Sequence, residues 1–227
     1  MTELLWGSAQ PPSRGPKPAV TLAGIAEAAI RIADAEGLDA VSMQRVADEL
    51  PVTKMALYRY VPGKAELVAV MSDLAMGVPP ERPSLPWREA LYAWSMDLYA
   101  GFRRHPWLLL STIGRRPVGP NELTWMDRGV RALSDTGLDG SEQLDAIVVL
   151  VGHVRTLTLQ TTTVPGRQGL TEEAFLSDFA AILTTHADRF PSLAAATQSA
   201  GQDNQGLEFG LQRILDGLEL LINARKA

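Results

Sequence analysis

Residues 42–67, "SMQRVADELPVTKMALYRYVPGKAEL", contain two helix starts separated by a break. Ser42 and Thr53 are residue types that cap helix N-termini with a side-chain oxygen. Between them, Pro51 ends the first helix because its ring removes a backbone donor. Two short helices joined by a tight turn form a helix-turn-helix, whose second helix enters the major groove of DNA. The stretch therefore predicts a local fold and a binding partner together.

The second predicted helix and its surroundings carry cations and phenols but no acids. Lys54, Arg59 and Lys64 are the charged residues between Thr53 and Lys64, although the whole chain has a formal net charge of -5. An acid-free segment in an acidic protein suits a surface that meets phosphate. The alternative is an ordinary solvated helix face, since such cations occur on many helices.

The predicted DNA contacts fall into two groups. Side chains at the N-terminal end of the second helix are expected to face the bases, and those along its flanks are expected to contact phosphate. The first group is Thr53, Lys54, Met55 and Ala56, and the second is Tyr58, Tyr60 and Lys64. One of the two tyrosines is expected to serve mainly in packing.

Composition indicates a globular protein without cysteine chemistry. The chain has 227 residues, of which 46% are hydrophobic and 21% charged, and no cysteine, which excludes disulfides and thiolate metal sites. The longest apolar run, residues 146–151, is too short to cross a bilayer, and the N-terminus lacks the pattern of a signal peptide. We therefore expect a cytoplasmic protein with no membrane partner.

Helical periodicity without alternating strand patterns predicts an all-α protein. Residues 1–18, rich in proline and glycine, are expected to form a flexible arm, and residues 19–76 a DNA-binding domain. The prolines over 77–86 predict a hinge, and residues 87–227 a second helical domain. Within that domain, residues 194–206 are expected to be a polar loop.

The phrases "AAIRIADAEGLDAVSMQRVA" and "ALYRYVPGKAEL", both within residues 21–67, resemble the DNA-binding domain of the tetracycline-repressor (TetR) family of bacterial transcriptional regulators. The resemblance covers 47 of the 227 residues, and the helical remainder fits the family's ligand-binding and dimerisation domain by layout. The phrase "LYRYVPGK" is similar to the branch that contains the tetracycline repressors themselves. The resemblance implies a repressor that binds a palindromic operator as a homodimer and is released by an unknown small molecule. It also implies that Gln44 and Arg45 reach DNA.

One position departs from the family pattern. The turn position usually filled by glycine is Pro51, which cannot adopt a positive φ. We therefore predict a turn built without a left-handed residue.

Two late helices, predicted over about residues 142–161 and 206–225, are apolar on almost every side. This pattern predicts that they are buried in their own core and against a partner. Similar helices form a four-helix bundle at the family's twofold axis, and glutamate at Leu215 is therefore expected to split the dimer. The expected interface residues are Ile147, Val151, Val154, Leu211, Ile214, Leu215, Leu218 and Leu221. The alternative is one large monomer core.

Large and polar-tipped side chains of the second domain are candidates for an effector pocket. They are Trp94, Tyr99, Phe102, His105, Trp107, Trp125, Met126, His153, Thr156 and Gln160. The alternative places the aromatic side chains in the core. The scattered histidines form no HExxH motif, and no GxSxG turn occurs, so we expect no metal, cofactor or catalysis. An all-α enzyme or a helical adaptor remains the alternative function.

Overall fold

The computed structural model describes residues 2–7, 20–166, 172–199 and 205–226, which form helices joined by loops with no strand among them. The helices are α1 (Thr2–Trp6), α2 (Leu22–Glu36), α3 (Met43–Asp48), α4 (Lys54–Leu57), α5 (Lys64–Met76), α6 (Trp87–Arg104), α7 (Leu108–Ser111), α8 (Pro120–Arg131), α9 (Gly140–Thr161), α10 (Glu172–Thr185), α11 (Pro191–Ser199) and α12 (Gly206–Lys226). The all-α prediction is confirmed. No helix in these ranges is both long and apolar enough to cross a membrane.

Helix α2 begins after a capping threonine and ends at a glycine. The Thr21 hydroxyl oxygen accepts a hydrogen bond from the Gly24 N–H at 3.0 Å, which satisfies one of the donors left free in a first helical turn. At the other end, Gly37 has a φ of 92° and donates its N–H to the Ala33 carbonyl oxygen at 3.0 Å. A positive φ at this position favours glycine because it has no Cβ.

The N-terminal arm differs from its prediction over Thr2–Trp6, which form α1. This short helix packs on α5, and Leu4 lies against the hydrophobic core. The Trp6 indole N–H donates to the Val118 carbonyl oxygen at 3.1 Å. The apolar side chains among the first residues order this turn despite the prolines that follow. Residues 8–19, which include the rest of the expected arm, lie outside the described residues.

The loop predicted over residues 194–206 is wrong for its first part. Helix α11 extends through Ser199, and its first turn is closed by the Ala194 N–H, which donates to the Phe190 carbonyl oxygen at 3.0 Å. The run of alanines from Ala194 favours helix. Residues 200–204 lie outside the described residues.

One hydrophobic core runs through both halves of the chain. In the first half, α2 packs along α5, while in the second half α9 packs against α6 and α12. The side chains of Leu67 and Met71 on α5 are fully buried. Helix α5 therefore belongs to the core of the first half, and the proline-rich segment 77–86 continues directly from it.

Candidate nucleic-acid interface

The turn between α3 and α4 is built without a positive φ. Ser42 caps α3 by accepting from the Arg45 N–H at 3.1 Å, and Thr53 caps α4 by accepting from the Ala56 N–H at 3.3 Å. Among the described residues, positive φ angles occur only at glycines, so Pro51 needs no strained neighbour. The turn predicted from Pro51 is confirmed.

Helix α4 is anchored from beneath and exposed at its N-terminal end. The side chain of Leu57 and, just beyond the helix, that of Val61 are fully buried. In contrast, Thr53 and Lys54 are exposed, and Met55 is 73% exposed. The exposed thioether gives this end one flexible apolar contact. A rigid base with slim, uncharged or cationic side chains above it is the arrangement that a major groove accepts.

The two tyrosines after α4 have different surroundings. Tyr58 is 39% exposed, whereas Tyr60 is partly buried and packs against the core. Lys64 is exposed at the first residue of α5, where Gly63 provides no side-chain cap. The backbone N–H groups at this helix start are therefore available to an anion beside the lysine charge.

Gln44 and Arg45 are engaged by acids that the sequence interpretation did not consider. The Gln44 amide donates to Asp48 at 2.8 Å, and the Arg45 guanidinium contacts Glu36 at 2.9 Å and Glu49 at 3.0 Å. The hydrogen bond to Glu36 raises the pKa of Arg45 above its already high value. These pairs lie at the surface, where water and salt screen the charges and an ion pair stabilises the fold only slightly. A phosphate group can therefore replace either acid.

The first half is joined to the second half at the end of α2. The Trp107 indole N–H donates to Asp34 Oδ1 at 2.7 Å, and His105 Nδ1 lies 2.8 Å from the same oxygen. Trp107 is fully buried. His105 and Trp107, both candidates for the effector pocket, thus form a contact between the two halves of the chain. Asp34 is separated from them by about seventy residues, and the sequence carried no signal for this contact.

Helix α5 is joined to the second half at its other end. Asp73 Oδ1 accepts from the backbone N–H of Glu122 at 3.1 Å, and the Asn121 side chain donates to the Asp73 carbonyl oxygen at 2.9 Å. The Asp73 carboxylate therefore caps α8. Burial raises the pKa of Asp73, although the hydrogen bonds oppose the shift. One helix thus carries Lys64 at its start and an interdomain cap near its end.

The structure distributes the ten predicted pocket residues among separate contacts. Trp94 and Trp125 are buried against each other, with ring centroids 6.2 Å apart. The structure contains a cavity of about 690 Å³ beneath the segment 77–86, and Trp94 is the member of the predicted set that lines it. Several of the aromatic side chains lie in the core because burying their large apolar surfaces is favourable.

The remaining members of that set lie elsewhere. Phe102 is buried with the Arg155 guanidinium 5.0 Å from its ring, and the His153 ring lies 3.0 Å from the Leu207 carbonyl oxygen on α12. The others are partly buried or exposed: Tyr99, Met126, Thr156 and Gln160. These residues therefore lie in several separate contacts, and their assignment to one effector pocket stays a prediction.

The predicted dimer residues are largely inside the protomer. Ile147, Val154, Leu211 and Leu215 are buried in its core, and Val151, Ile214 and Leu218 are partly buried there, whereas Leu221 is 38% exposed. The four buried side chains are already covered within one chain, so they offer no surface to a second chain. A different apolar set is exposed on the same two helices: Leu144, Val148, Val149, Leu159, Phe209 and Leu220. Helices apolar on all sides give no sequence signal for which side faces inward.

In the described part of the chain, no group of three or more histidine or acidic side chains could hold a metal ion. The second half contains a partly buried ion pair in which the Arg116 guanidinium donates two hydrogen bonds to the Glu122 carboxylate. This pair joins the loop before α8 to its first turn, and its geometry is that of a structural contact.

Two family models match the chain. The model described as "Bacterial regulatory proteins, tetR family" matches residues 25–71, and the one described as "Tetracyclin repressor-like, C-terminal domain" matches residues 79–222. The first includes α3, α4 and the start of α5. The second begins inside the proline-rich segment and extends from α6 into α12.

Two of the similar proteins come from Streptomyces species. The HTH-type transcriptional repressor DrrR1 of Streptomyces coeruleorubidus is 41% identical over 99% of this chain and 86% of its own length. Apo ActR of Streptomyces coelicolor is 28% identical with a TM-score of 0.77, covering 92% of this chain and 99% of ActR. ActR in complex with actinorhodin is 30% identical with a TM-score of 0.73, covering 88% and 95% of the two chains.

The local geometry and these comparisons agree. The helix-turn-helix with its acid-free exposed tip lies inside the first matched region, and most of the remaining helices lie inside the second. Members of this family regulate transcription and are not enzymes. This chain belongs to the tetR family of bacterial transcriptional regulators.

Proposed function

We propose that two copies of this chain bind a palindromic operator in the cytoplasm and repress transcription until a small molecule releases them. The observation that carries this proposal is the exposed, acid-free first turn of α4 on its buried base. A protein of net charge -5 that lacks acids at one rigid tip favours a polyanion at that tip.

The side chains of this tip suit distinct parts of DNA. Thr53 and Lys54 can hydrogen-bond base edges, while the Met55 thioether and the small Ala56 suit the apolar methyl group of thymine. Tyr58, directly after α4, and Lys64, at the start of α5, are exposed, and we assign both to phosphate oxygens of the DNA backbone. Tyr60 supports this surface mainly by packing.

Gln44 and Arg45 on α3 supply a third contact in this proposal. Their present partners are carboxylates at the surface. A DNA phosphate accepts from the guanidinium fork in the same bidentate geometry as a carboxylate. Operator binding therefore exchanges Glu36 and Glu49 for the DNA backbone at Arg45.

Lys64→Ala is expected to weaken operator binding several-fold. It is also expected to reduce the magnitude of the slope of log affinity against log salt by about one, which corresponds to the loss of one phosphate contact. Lys54→Ala is expected to change base preference instead, with each lost base contact costing about 1–3 kcal/mol. Fluorescence anisotropy on operator and scrambled duplexes across a salt series measures both. Arg115→Ala, which removes an exposed cation of the second domain, is the control. An unchanged salt slope for Lys64→Ala would contradict the phosphate assignment.

The exposed apolar side chains of α9 and α12 support a homodimer. Leu144 and Val148 lie one helical turn apart on α9, and Phe209 and Leu220 lie on α12. Gly152 on α9 and Gly217 on α12 have no side chain and face open space. A second pair of helices can therefore approach these positions closely. A dimer presents two recognition helices to half-sites about 34 Å apart.

A small-molecule effector is supported by ActR, whose structures include complexes with (S)-DNPA and with actinorhodin. In this chain, the second domain contacts the DNA-binding half through Asp34 on α2 and Asp73 on α5. Both contacts are directional hydrogen bonds, so each fixes one position of the second domain against the first. An effector that favours another arrangement of the second domain lowers operator affinity through them, commonly by about 1–3 kcal/mol.

Asp34→Ala is expected to destabilise the protein by about 1–3 kcal/mol, because the buried Trp107 N–H loses its acceptor. Asp34→Asn retains an oxygen at that position and is expected to lose less. Urea unfolding followed by circular dichroism gives the free energy of unfolding for each variant. Equal midpoints for the wild type and Asp34→Ala would show that this interdomain bond contributes nothing.

A further inference from the structure

The Arg45 guanidinium joins α3 to the end of α2. Its Nη2 lies 2.9 Å from Glu36 Oε1, and its Nη1 lies 3.0 Å from Glu49 Oε1. Glu36 is the last residue of α2, whereas Glu49 follows α3 directly. The function proposed above assigns the same guanidinium to a DNA phosphate. Two carboxylates of the chain itself therefore hold the group that DNA is to bind.

Binding of a phosphate to Arg45 requires that a carboxylate moves away. Carboxylate and phosphate oxygens accept from the guanidinium fork in the same bidentate geometry. Both terminal nitrogens of Arg45 are engaged, and a phosphate beside either acid is repelled by its negative charge. Glu36 has the larger influence of the two acids, because its hydrogen bond and its charge raise the pKa of Arg45 more than the charge of Glu49 does.

The end of α2 that carries Glu36 is held by the second half of the chain. The Glu36 carbonyl oxygen lies so close to Gly166 that a Cβ on this glycine would be 2.6 Å from it. Two residues before Glu36, Asp34 accepts from the indole N–H of the buried Trp107 at 2.7 Å. The backbone of Glu36 is therefore fixed from outside the helix-turn-helix. When α3 binds DNA, Arg45 consequently separates from this acid.

Separation of this ion pair opposes DNA binding in two ways. The attraction between Arg45 and Glu36 is lost, and the freed carboxylate lies beside the negatively charged DNA backbone. The two side chains are about half exposed, at 43% for Arg45 and 49% for Glu36, so water and salt screen their charges. The expected penalty is therefore modest, about a twofold to fivefold loss of operator affinity.

We propose that Glu36 is an internal competitor of operator DNA, whose carboxylate occupies Arg45 in the place of a phosphate and limits operator affinity. The inference rests on the function proposed above, because it requires Arg45 to bind the DNA backbone. It gives Glu36 the opposite role to that of an acid that positions an arginine for phosphate, since removal of such an acid would weaken binding. The contact is autoinhibitory: the chain binds its operator more weakly than its basic side chains alone would allow.

Glu36→Gln tests the competitor directly, because glutamine keeps the shape of the side chain and removes its charge. The probe is a DNA duplex that the full-length wild type selects from random sequences, and fluorescence anisotropy gives its affinity. Glu36→Gln is expected to raise this affinity about twofold to fivefold, with the larger gain at low salt. The matched control is Asp39→Asn, which removes an exposed acid three residues further along the chain and outside the Arg45 ion pairs. It is expected to change the affinity by less than about twofold.

Arg45→Met shows whether the gain passes through the ion pair. In this background Glu36→Gln is expected to have no larger effect than Asp39→Asn, since no guanidinium is released. A gain of the same size without Arg45 would show repulsion between Glu36 and DNA alone and overturn the inference, as would weaker binding by Glu36→Gln.

Circular dichroism confirms that each variant is folded, and Arg45→Gln replaces Arg45→Met if that variant is not. The wild type tests the proposed function separately. A wild type that selects no duplex would refute the regulator and the inference together. Selection by the wild type with no gain for Glu36→Gln would refute the inference alone.

Discussion

Leu220→Glu is expected to produce a folded monomer, whereas Leu215→Glu is expected to unfold the chain, although both residues lie on α12. Leu220 is 74% exposed in the protomer and Leu215 is fully buried. The first substitution therefore places a carboxylate at the surface that a partner would cover. The second places it inside the protomer's own core, which overturns the expectation that glutamate at Leu215 merely splits the dimer.

The two substitutions act on different equilibria, folding for Leu215→Glu and subunit association for Leu220→Glu. A buried unpaired carboxylate and the lost leucine packing together cost more than about 4 kcal/mol, which is a large part of the roughly 5–15 kcal/mol typical of a folded protein. At Leu220 the penalty appears only on association, where covering one charge on each subunit opposes assembly twice. Operator affinity should then fall by about a hundredfold or more, because a monomer reads a single half-site.

Light scattering, circular dichroism and operator titration separate these outcomes. Val148→Glu, on the exposed side of α9 and 64% exposed, is a second variant expected to behave like Leu220→Glu. Leu193→Glu on α11, also at an exposed leucine, introduces the same charge away from α9 and α12 and is the matched control. A wild-type protein that is monomeric at micromolar concentration, or a Leu220→Glu variant that remains dimeric, would contradict the proposed interface.

Gly37→Ala is expected to lower stability by about 3 kcal/mol or more, because two penalties add at this site. The φ of Gly37 is 92°, and such a backbone conformation costs a residue with a Cβ about 1–3 kcal/mol. In addition, a Cβ at this position would lie 2.0 Å from the Pro165 carbonyl oxygen, a backbone atom that cannot move aside without shifting the loop after α9. Thermal unfolding of the variant and the wild type measures the combined loss.

Gly101→Ala is the matched control for this prediction. Gly101 lies within α6, and a Cβ there meets no atom within 4 Å. Alanine is favoured over glycine in a helix interior by up to about 1 kcal/mol, so the melting temperature should rise slightly. For a chain of this length, each 1 kcal/mol corresponds to roughly 2–4 °C. Equal melting temperatures for wild type and Gly37→Ala would show that the loop adapts freely.

The contact at Gly37 also shows how the two halves meet. Gly166, with a φ of 77°, would place a Cβ 2.6 Å from the Glu36 carbonyl oxygen. Two glycines thus allow the backbone after α9 to touch the end of α2, close to Asp34. A glycine after a helix is a local signal for helix termination, but a close approach between distant backbones has no local signature.

The helix-turn-helix and the chemistry of its tip could be predicted from consecutive residues alone. The caps at Ser42 and Thr53 each act on a backbone N–H three residues away, and the break at Pro51 acts on its own turn, so these features are encoded locally. The acid-free composition after Thr53 is likewise a property of neighbouring residues. These features hold in any fold that contains the segment.

Three features became known only from the tertiary structure. They are the inward-facing sides of α9 and α12, the positions of the aromatic side chains and the bonds between the two halves. A helix that is apolar all round has no periodic signal to separate Leu215 from Leu220. Likewise, Asp34 and Trp107 are joined by a hydrogen bond across many intervening residues. Contacts between residues distant in sequence depend on how whole helices pack, and no local pattern contains that information.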